Sequence, residues 1–254
     1  MSIAIDGYQV DIIVSGFPGK SVCHGGLGWS TIVLLRGHGR IALVDVGTFG
    51  MRNLLQKGLA DHGLNNTDVT EVLLTHGHHD HCINWVMFRD ARIVLGQSEL
   101  EWAVEQPWGE TPVAELYVER LNDWPTLHRA HDGEEILPGI TCHLAAGHTP
   151  GHLIYVLRGE SRDVIFTGDA AKNRAELISR DTDMTYDASI SRATINMIWE
   201  HWRRHPASIV VPGHDLPMVL EDGRPEYIGK REAAITAWYG DDMETTTRIE
   251  LTVA

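Results

Sequence analysis

Residues 73–82 read LLTHGHHDHC, an apolar run that breaks into four histidines and one aspartate within six positions. The stretch TEVLLT leading into it has the continuous apolar, β-branched character of a short buried strand. In an extended segment alternate side chains share a face, so His76 and His78 point the same way. The chain then turns, and Asp80 and His81 can point into the same space from the start of a helix. His79 falls out of phase and is expected to face solvent or to stand behind the others. Imidazole and carboxylate together are ligands for zinc, iron or manganese.

A histidine-rich turn alone does not make a metal site. Other strand ends carry further candidates. AAGHTPGH places His148 after a strand and before a Pro-Gly turn, IFTGDA places Asp169 after another, and IVVPGHD places His214 after a third. Functional side chains concentrate on loops that a rigid scaffold holds in place.

The rest of the chain alternates strand and helix patterns. YQVDIIV, STIVLLR, RIALVDVG, ARIVL, ITCHLAAGH, HLIYVLRG and DVIFTGDA read as strands, and ASIVVPGHD as a last buried one. Met51, Leu54, Leu55, Leu59 and His62 fall at helical spacing, as do Ile190, Ala193, Met197, Ile198 and Trp202. SELEWAVEQ reads as a helix capped by Ser98, with Glu101 three residues on. TPVAELYVERL and the tail GKREAAITAWYG are also expected to be helical. The pattern recurs in two halves, about 1–125 and 126–254, within one domain spanning 1–254. A glycine-rich loop from Ser15 to Trp29 is long enough to be functional.

With 43% hydrophobic and 22% charged residues, the composition is that of a globular chain. A formal net charge of −14 repels phosphate backbones, so nucleic acid is not expected as a partner. No apolar run is long enough to span a membrane, and MSIAIDGYQV lacks a basic segment before an apolar core. The three cysteines form no C-x-x-C pair, which favours a reducing, cytoplasmic setting.

THGHHDH, GHTPGH, GDA and PGHD, preceded by VDVG at Val44–Gly47, together resemble the metallo-β-lactamase superfamily from about Tyr8 to Asp215. The resemblance implies an α/β fold, a four-layer αβ/βα sandwich with its site along one edge of two sheets. It also implies that His76, His78 and His148 hold one metal, that Asp80, His81 and His214 hold a second, and that Asp169 bridges them. Two zinc ions are the expected cofactors, with manganese or iron as alternatives. Asp45 matches a position that hydrogen-bonds a ligand. Five neutral imidazoles, two carboxylates, two divalent ions and one bridging hydroxide sum to about +1, a centre suited to an oxyanion. The implied activity is hydrolysis of a small carbonyl substrate (a lactone, thioester or cyclic amide) by a metal-bridging hydroxide, with Asp80 required for catalysis.

The branches of the superfamily differ in detail. Flavodiiron proteins place a glutamate where His78 stands. Persulfide dioxygenases use a single iron held by two histidines and an aspartate, an alternative that these residues also admit. A phosphodiesterase or nuclease is a further alternative, although the RNase Z and nuclease branches carry extra basic arms or an inserted domain and neither is visible here. Metallo-β-lactamases proper place another residue where Asp169 stands, which looks instead like the glyoxalase II, lactonase and phosphodiesterase branches. Acyl-homoserine lactonases are similar in length and in GHTPGH, GDA and GHD, but carry a tyrosine three residues after the bridging aspartate, where this chain has Lys172. Lys172 is a candidate to orient a substrate carboxylate or to protonate a leaving group. Tyr186 and Arg180, in LISRDTDMTYD, and His24, in the first loop, are further substrate-binding candidates. Tryptophans such as Trp85, Trp102, Trp108 and Trp124 suit core anchors or a pocket wall, and with the long first loop they suit a homodimer. The histidines outside these motifs, His152 among them, read as structural or surface residues.

Overall fold

The computed structural model describes residues 1–23 and 25–252. His24 lies outside the described residues.

In chain order, the first half supplies β1 (Ser2–Ile5), β2 (Tyr8–Val14), a two-residue ladder of β3 (Lys20–Ser21) with β4 (Gly25–Gly26), β5 (Ile32–Gly37), β6 (Arg40–Val44) and helix α1 (Arg52–Ala60). Then come β7 (Glu71–Leu73), the short α2 (His79–Cys82), β8 (Arg92–Gly96), α3 (Gln97–Val104), α4 (Glu115–Asn122) and β9 (Leu127–Ala130). These strands form a seven-stranded sheet ordered β1-β2-β5-β6-β7-β8-β9, parallel from β6 onward.

The second half supplies β10 (Glu135–Leu137), β11 (Ile140–Leu144), β12 (Leu153–Leu157), β13 (Val164–Gly168), α5 (Arg174–Ser179), α6 (Ala188–Trp202), β14 (Ile209–Pro212), β15 (Met218–Glu221) and β16 (Arg224–Tyr227). They form a second seven-stranded sheet in sequence order, and only β13 and β14 run parallel in it. The chain closes on a ribbon of β17 (Ala234–Ala237) and β18 (Thr247–Glu250).

The strands read as near-continuous apolar runs because both faces of each sheet are covered. Val33, Leu35, Val44, Leu73 and Val94 of the first sheet meet Cys142, Tyr155, Leu157, Phe166 and Val211 of the second in a dry layer between them. On the far side of the first sheet, Leu34, Leu43, Val72 and Ile93 pack on Leu55, Leu59, Leu100, Val118 and Leu121 from α1, α3 and α4. On the far side of the second, Ile154, Val156, Ile165 and Val210 pack on Ile195, Ile198, Trp199 and Trp202 of α6. Helices, sheet, sheet, helices make the four layers. No helix among the described residues is long and apolar enough to cross a membrane.

Two local expectations are overturned. The tail segment read as a helix contains β17 instead, because β-branched Ile235 and Thr236 find partners in Ile249 and Arg248. Ser98 caps nothing: α3 starts at Gln97 straight out of β8, with Gly96 at its cap and no side-chain cap bond. The other helices and the strands agree with their patterns to within a few residues.

Candidate metal centre

The carboxyl ends of parallel strands form a natural crevice in a sheet with helices on its face. In the first sheet β6 ends at Asp45 and β7 at the histidine run, side by side, with Asp45 N–H donating to Leu73 O at 3.0 Å. Asp45 adopts a left-handed φ of 54°, a conformation that aspartate tolerates better than most residues. That turn lets its carboxylate accept from Thr75 N–H at 2.8 Å and from the Thr75 hydroxyl at 2.9 Å, and meet His81 Nδ1 at 2.7 Å. Thr75 in turn touches His76 Nδ1 at 3.0 Å.

In the second sheet the parallel pair β13 and β14 releases Asp169 and His214 from adjacent ends, joined by Gly213 N–H to Gly168 O at 2.9 Å. Both glycines are required by close approach. A Cβ on Gly168, at φ 47°, would lie 2.6 Å from Thr75 Oγ1, and one on Gly213 would lie 2.3 Å from Asp169 Oδ1. The end of β13 therefore lies directly against the Thr75 side chain of the first sheet, and the end of β14 against Asp169. His148 enters from the turn between β11 and β12, closed by Ala145 N–H to His152 O at 2.7 Å.

The seven side chains singled out in the sequence converge. Ligand-type atoms of His76, His78 and His148 lie within 4.8 Å of one another, as do those of Asp80, His81 and His214 and those of His76, His81 and Asp169. His78 Nδ1 and His148 Nε2 are 2.9 Å apart. His214 Nε2 is 3.3 Å from His81 Nε2 and 3.3 Å from Asp80 Oδ2. Asp169 stands between the groups: Oδ2 is 3.4 Å from His148 Nε2, while Oδ1 is 3.1 Å from His81 Nε2 and 3.2 Å from His214 Nε2. His79, as its phase required, is exposed.

The donor set fits a cation. His76 Nε2 is buried with no hydrogen-bond partner, and burial of a polar atom is costly unless something satisfies it. Burial pushes His76 and His148 far below the ordinary imidazole range and His78 down to about 4, so all three are neutral imidazoles. Burial works against charge on His81 and His214 as well, yet neighbouring carboxylates, Asp169 foremost, overcome it. They hold His81 well above its usual range and push His214 up to about 9. Asp80 and Asp169 are held ionised by His81 and His214 against the penalty of burial. Imidazole nitrogen and carboxylate oxygen at this spacing suit zinc, iron or manganese.

Two buried residues join the site without having been read as part of it. His152 is fully buried, stacks 4.8 Å from the His76 ring, and its Nε2 accepts from Asp169 N–H at 3.0 Å. The second histidine of GHTPGH was the available signal. Glu99, fully buried on α3, accepts from Gly77 N–H at 2.9 Å, the Thr149 hydroxyl at 2.6 Å and Gly151 N–H at 3.2 Å. It ties the histidine run to the His148 turn. Burial raises its carboxyl to about 7 against the pull of those three bonds. Its place in an ordinary helical pattern gave no sign of this.

The substrate candidates divide. Lys172 is near the cluster: its backbone oxygen accepts from His214 N–H at 2.8 Å, and Nζ lies 2.9 Å from Glu176 Oε1 on a side chain only 15% exposed. Tyr186 N–H donates to His148 O at 3.2 Å, while its ring is exposed and meets Trp102 edge-on at 5.9 Å. Arg180 is directed elsewhere: its guanidinium bonds Asn196 and lies 4.9 Å from the Trp199 ring centre. Of the tryptophans, Trp85 is a core residue packed edge-on to Trp124, and Trp108 is largely exposed. A groove of about 810 Å³ opens at the opposite ends of the strands beside Arg40, Arg92 and His128 and contains none of the seven residues.

A family profile described as the metallo-beta-lactamase superfamily matches residues 25–214. The N-acyl homoserine lactonase AiiA of Bacillus thuringiensis subsp. kurstaki is 23% identical over 156 residues, which cover 61% of this chain and 59% of that protein. Among solved structures, a variant of B. thuringiensis AiiA with N-decanoyl-L-homoserine bound at its active site superposes with a TM-score of 0.66 at 17% identity, over 84% of this chain and 94% of that one. AidC, described as a dizinc quorum-quenching lactonase, gives a TM-score of 0.66 at 16% identity over 91% and 97%.

Proposed function

Because the chain belongs to the metallo-β-lactamase superfamily, we propose that it is a dinuclear metal-dependent hydrolase of a small carbonyl substrate: a lactone, a thioester or a cyclic amide. The observation that carries this reading is the position of Asp169, whose two carboxylate oxygens face the two halves of the cluster, His148 on one side and His81 with His214 on the other. His76, His78 and His148 would hold one cation, and Asp80, His81 and His214 the other. Two zinc ions are the cofactors proposed. Divalent cations so held lower the pKa of bound water to about 7 and polarise a carbonyl oxygen.

The residues of the chain set the stage for that chemistry. Asp45 fixes the ring of His81 through Nδ1, and the Thr75 hydroxyl does the same for His76. Asp80 keeps 21% of its side chain exposed while its neighbours are nearly sealed, so it would present the second cation to the substrate side of the site. Lys172, held beside the cluster by Glu176, would orient a substrate carboxylate. Tyr186 and Trp102 would form an aromatic wall for the substrate's apolar part.

Metal analysis of the purified chain, with a hydrolysis panel of lactones, thioesters and cyclic amides, tests the proposal. Two zinc equivalents and hydrolysis of at least one class are expected. One iron, with oxygen uptake on a glutathione persulfide, would replace this reading with a dioxygenase.

A further inference from the structure

The ribbon of β17 and β18 belongs to neither large sheet. Ile235 lies opposite Ile249, and Thr236 opposite Arg248. All four residues of β18 are exposed, and its second edge pairs with no other strand among the described residues. A two-stranded ribbon is marginal in water, and an open edge is a template for a further strand. The two faces differ. Ile235 and Ile249, 39% and 40% exposed, share one, while Arg248 and Glu250 share the other. Nearby, Trp238, Tyr239 and Met243 are also exposed.

We propose that this ribbon is a dimerisation element. β18 pairs antiparallel with β18 of a second copy, about a two-fold axis through Ile249, to give a four-stranded sheet across two chains. The sequence of the strand selects both the partner and the register. Residues directly opposite each other point to the same face, so a register that keeps the isoleucines off the charged face must centre on a residue rather than between two. Centred on Arg248 it opposes two arginines, and centred on Glu250 it opposes two glutamates; both are unfavourable. Centred on Ile249, it sets Arg248 opposite Glu250 twice and Ile249 opposite itself. A foreign strand would need this same spacing of opposite charges, which a second copy supplies by symmetry. Closed two-fold pairing of one surface with itself is the commonest form of homo-oligomer.

Sedimentation velocity on the full chain tests this. The native chain is expected at twice its 28.3 kDa mass at micromolar concentration. Arg248→Glu and Glu250→Arg each place like charges opposite each other in a homodimer, and each is expected to weaken the dimer at least tenfold. Mixed in equal amounts, the two variants should recover it, because one strand is then doubly acidic and the other doubly basic. Both variants lose the Arg248–Glu250 pair within the chain, so recovery on mixing reports contact between copies. A native chain that stays monomeric, an Arg248→Glu variant that stays dimeric, or a mixture that stays monomeric would each overturn the proposal.

Discussion

Asp45 Oδ2 and His81 Nδ1 lie 2.7 Å apart, both fully enclosed, so the turn after β6 sets the ring angle of a histidine thirty-six residues later. Removing the carboxylate frees that ring and leaves Thr75 N–H without its acceptor. Asp45→Ala is expected to weaken metal affinity by about 10–100-fold. Competition with a chromophoric chelator measures this. Unchanged affinity would show that the ring is held by other contacts.

Glu99 predicts a particular pH dependence. Its carboxyl is raised from 4.5 to about 7 by burial, so between those values the native chain holds a proton that the unfolded chain has lost. Stability from this group is therefore greatest at the acid end and declines as pH rises through that window, by about 3 kcal/mol in all. Glu99→Gln removes the decline. Urea unfolding of metal-stripped protein at pH 4.5 and pH 7 should show the native chain losing about that much relative to the variant. A difference that does not change with pH contradicts the assignment.

Cation uptake should release protons. In the metal-free chain His214 is pushed up to about 9 and His81 also lies well above its usual range, so both carry protons at pH 7 that a metal must displace. Titration calorimetry in buffers of different ionisation enthalpy should show about two protons leaving from these rings as the centre fills, and affinity should fall as the solution is acidified. Chelation should lower Tm, and added zinc should restore it in a concentration-dependent way.

Lys172→Met separates binding from turnover. If its ammonium orients a substrate carboxylate, KM for a carboxylate-bearing substrate rises roughly tenfold, about 1.4 kcal/mol, while a neutral lactone is unaffected. Equal losses on both substrates would place Lys172 in the chemical step or in the fold.

The metal-ligand candidates were legible because each stands at or just beyond a strand end, where a near-continuous apolar run gives way to polar residues and a glycine. His79 was separable by phase alone. What stayed hidden has a common cause: Glu99 and His152 act through partners distant in the chain, and a helix pattern or an unassigned histidine looks the same whether or not a backbone N–H will meet it. The tail failed for another reason. Ala234–Ala237 has no strong local preference, and only Ile249 and Arg248, met after a turn, make it a strand.

The candidate ligands come from both sheets: His76, His78, Asp80 and His81 follow β7, whereas His148, Asp169 and His214 follow strands of the second half. His81 and His214, 3.3 Å apart in space, are 133 residues apart in the chain. During synthesis the early histidines leave the ribosome long before their counterparts exist, so a nascent first half has at most a fragment of a chelate. On the proposed function, full loading would therefore be a late event in the life of the molecule, and a cation bound across the gap would fasten one sheet to the other.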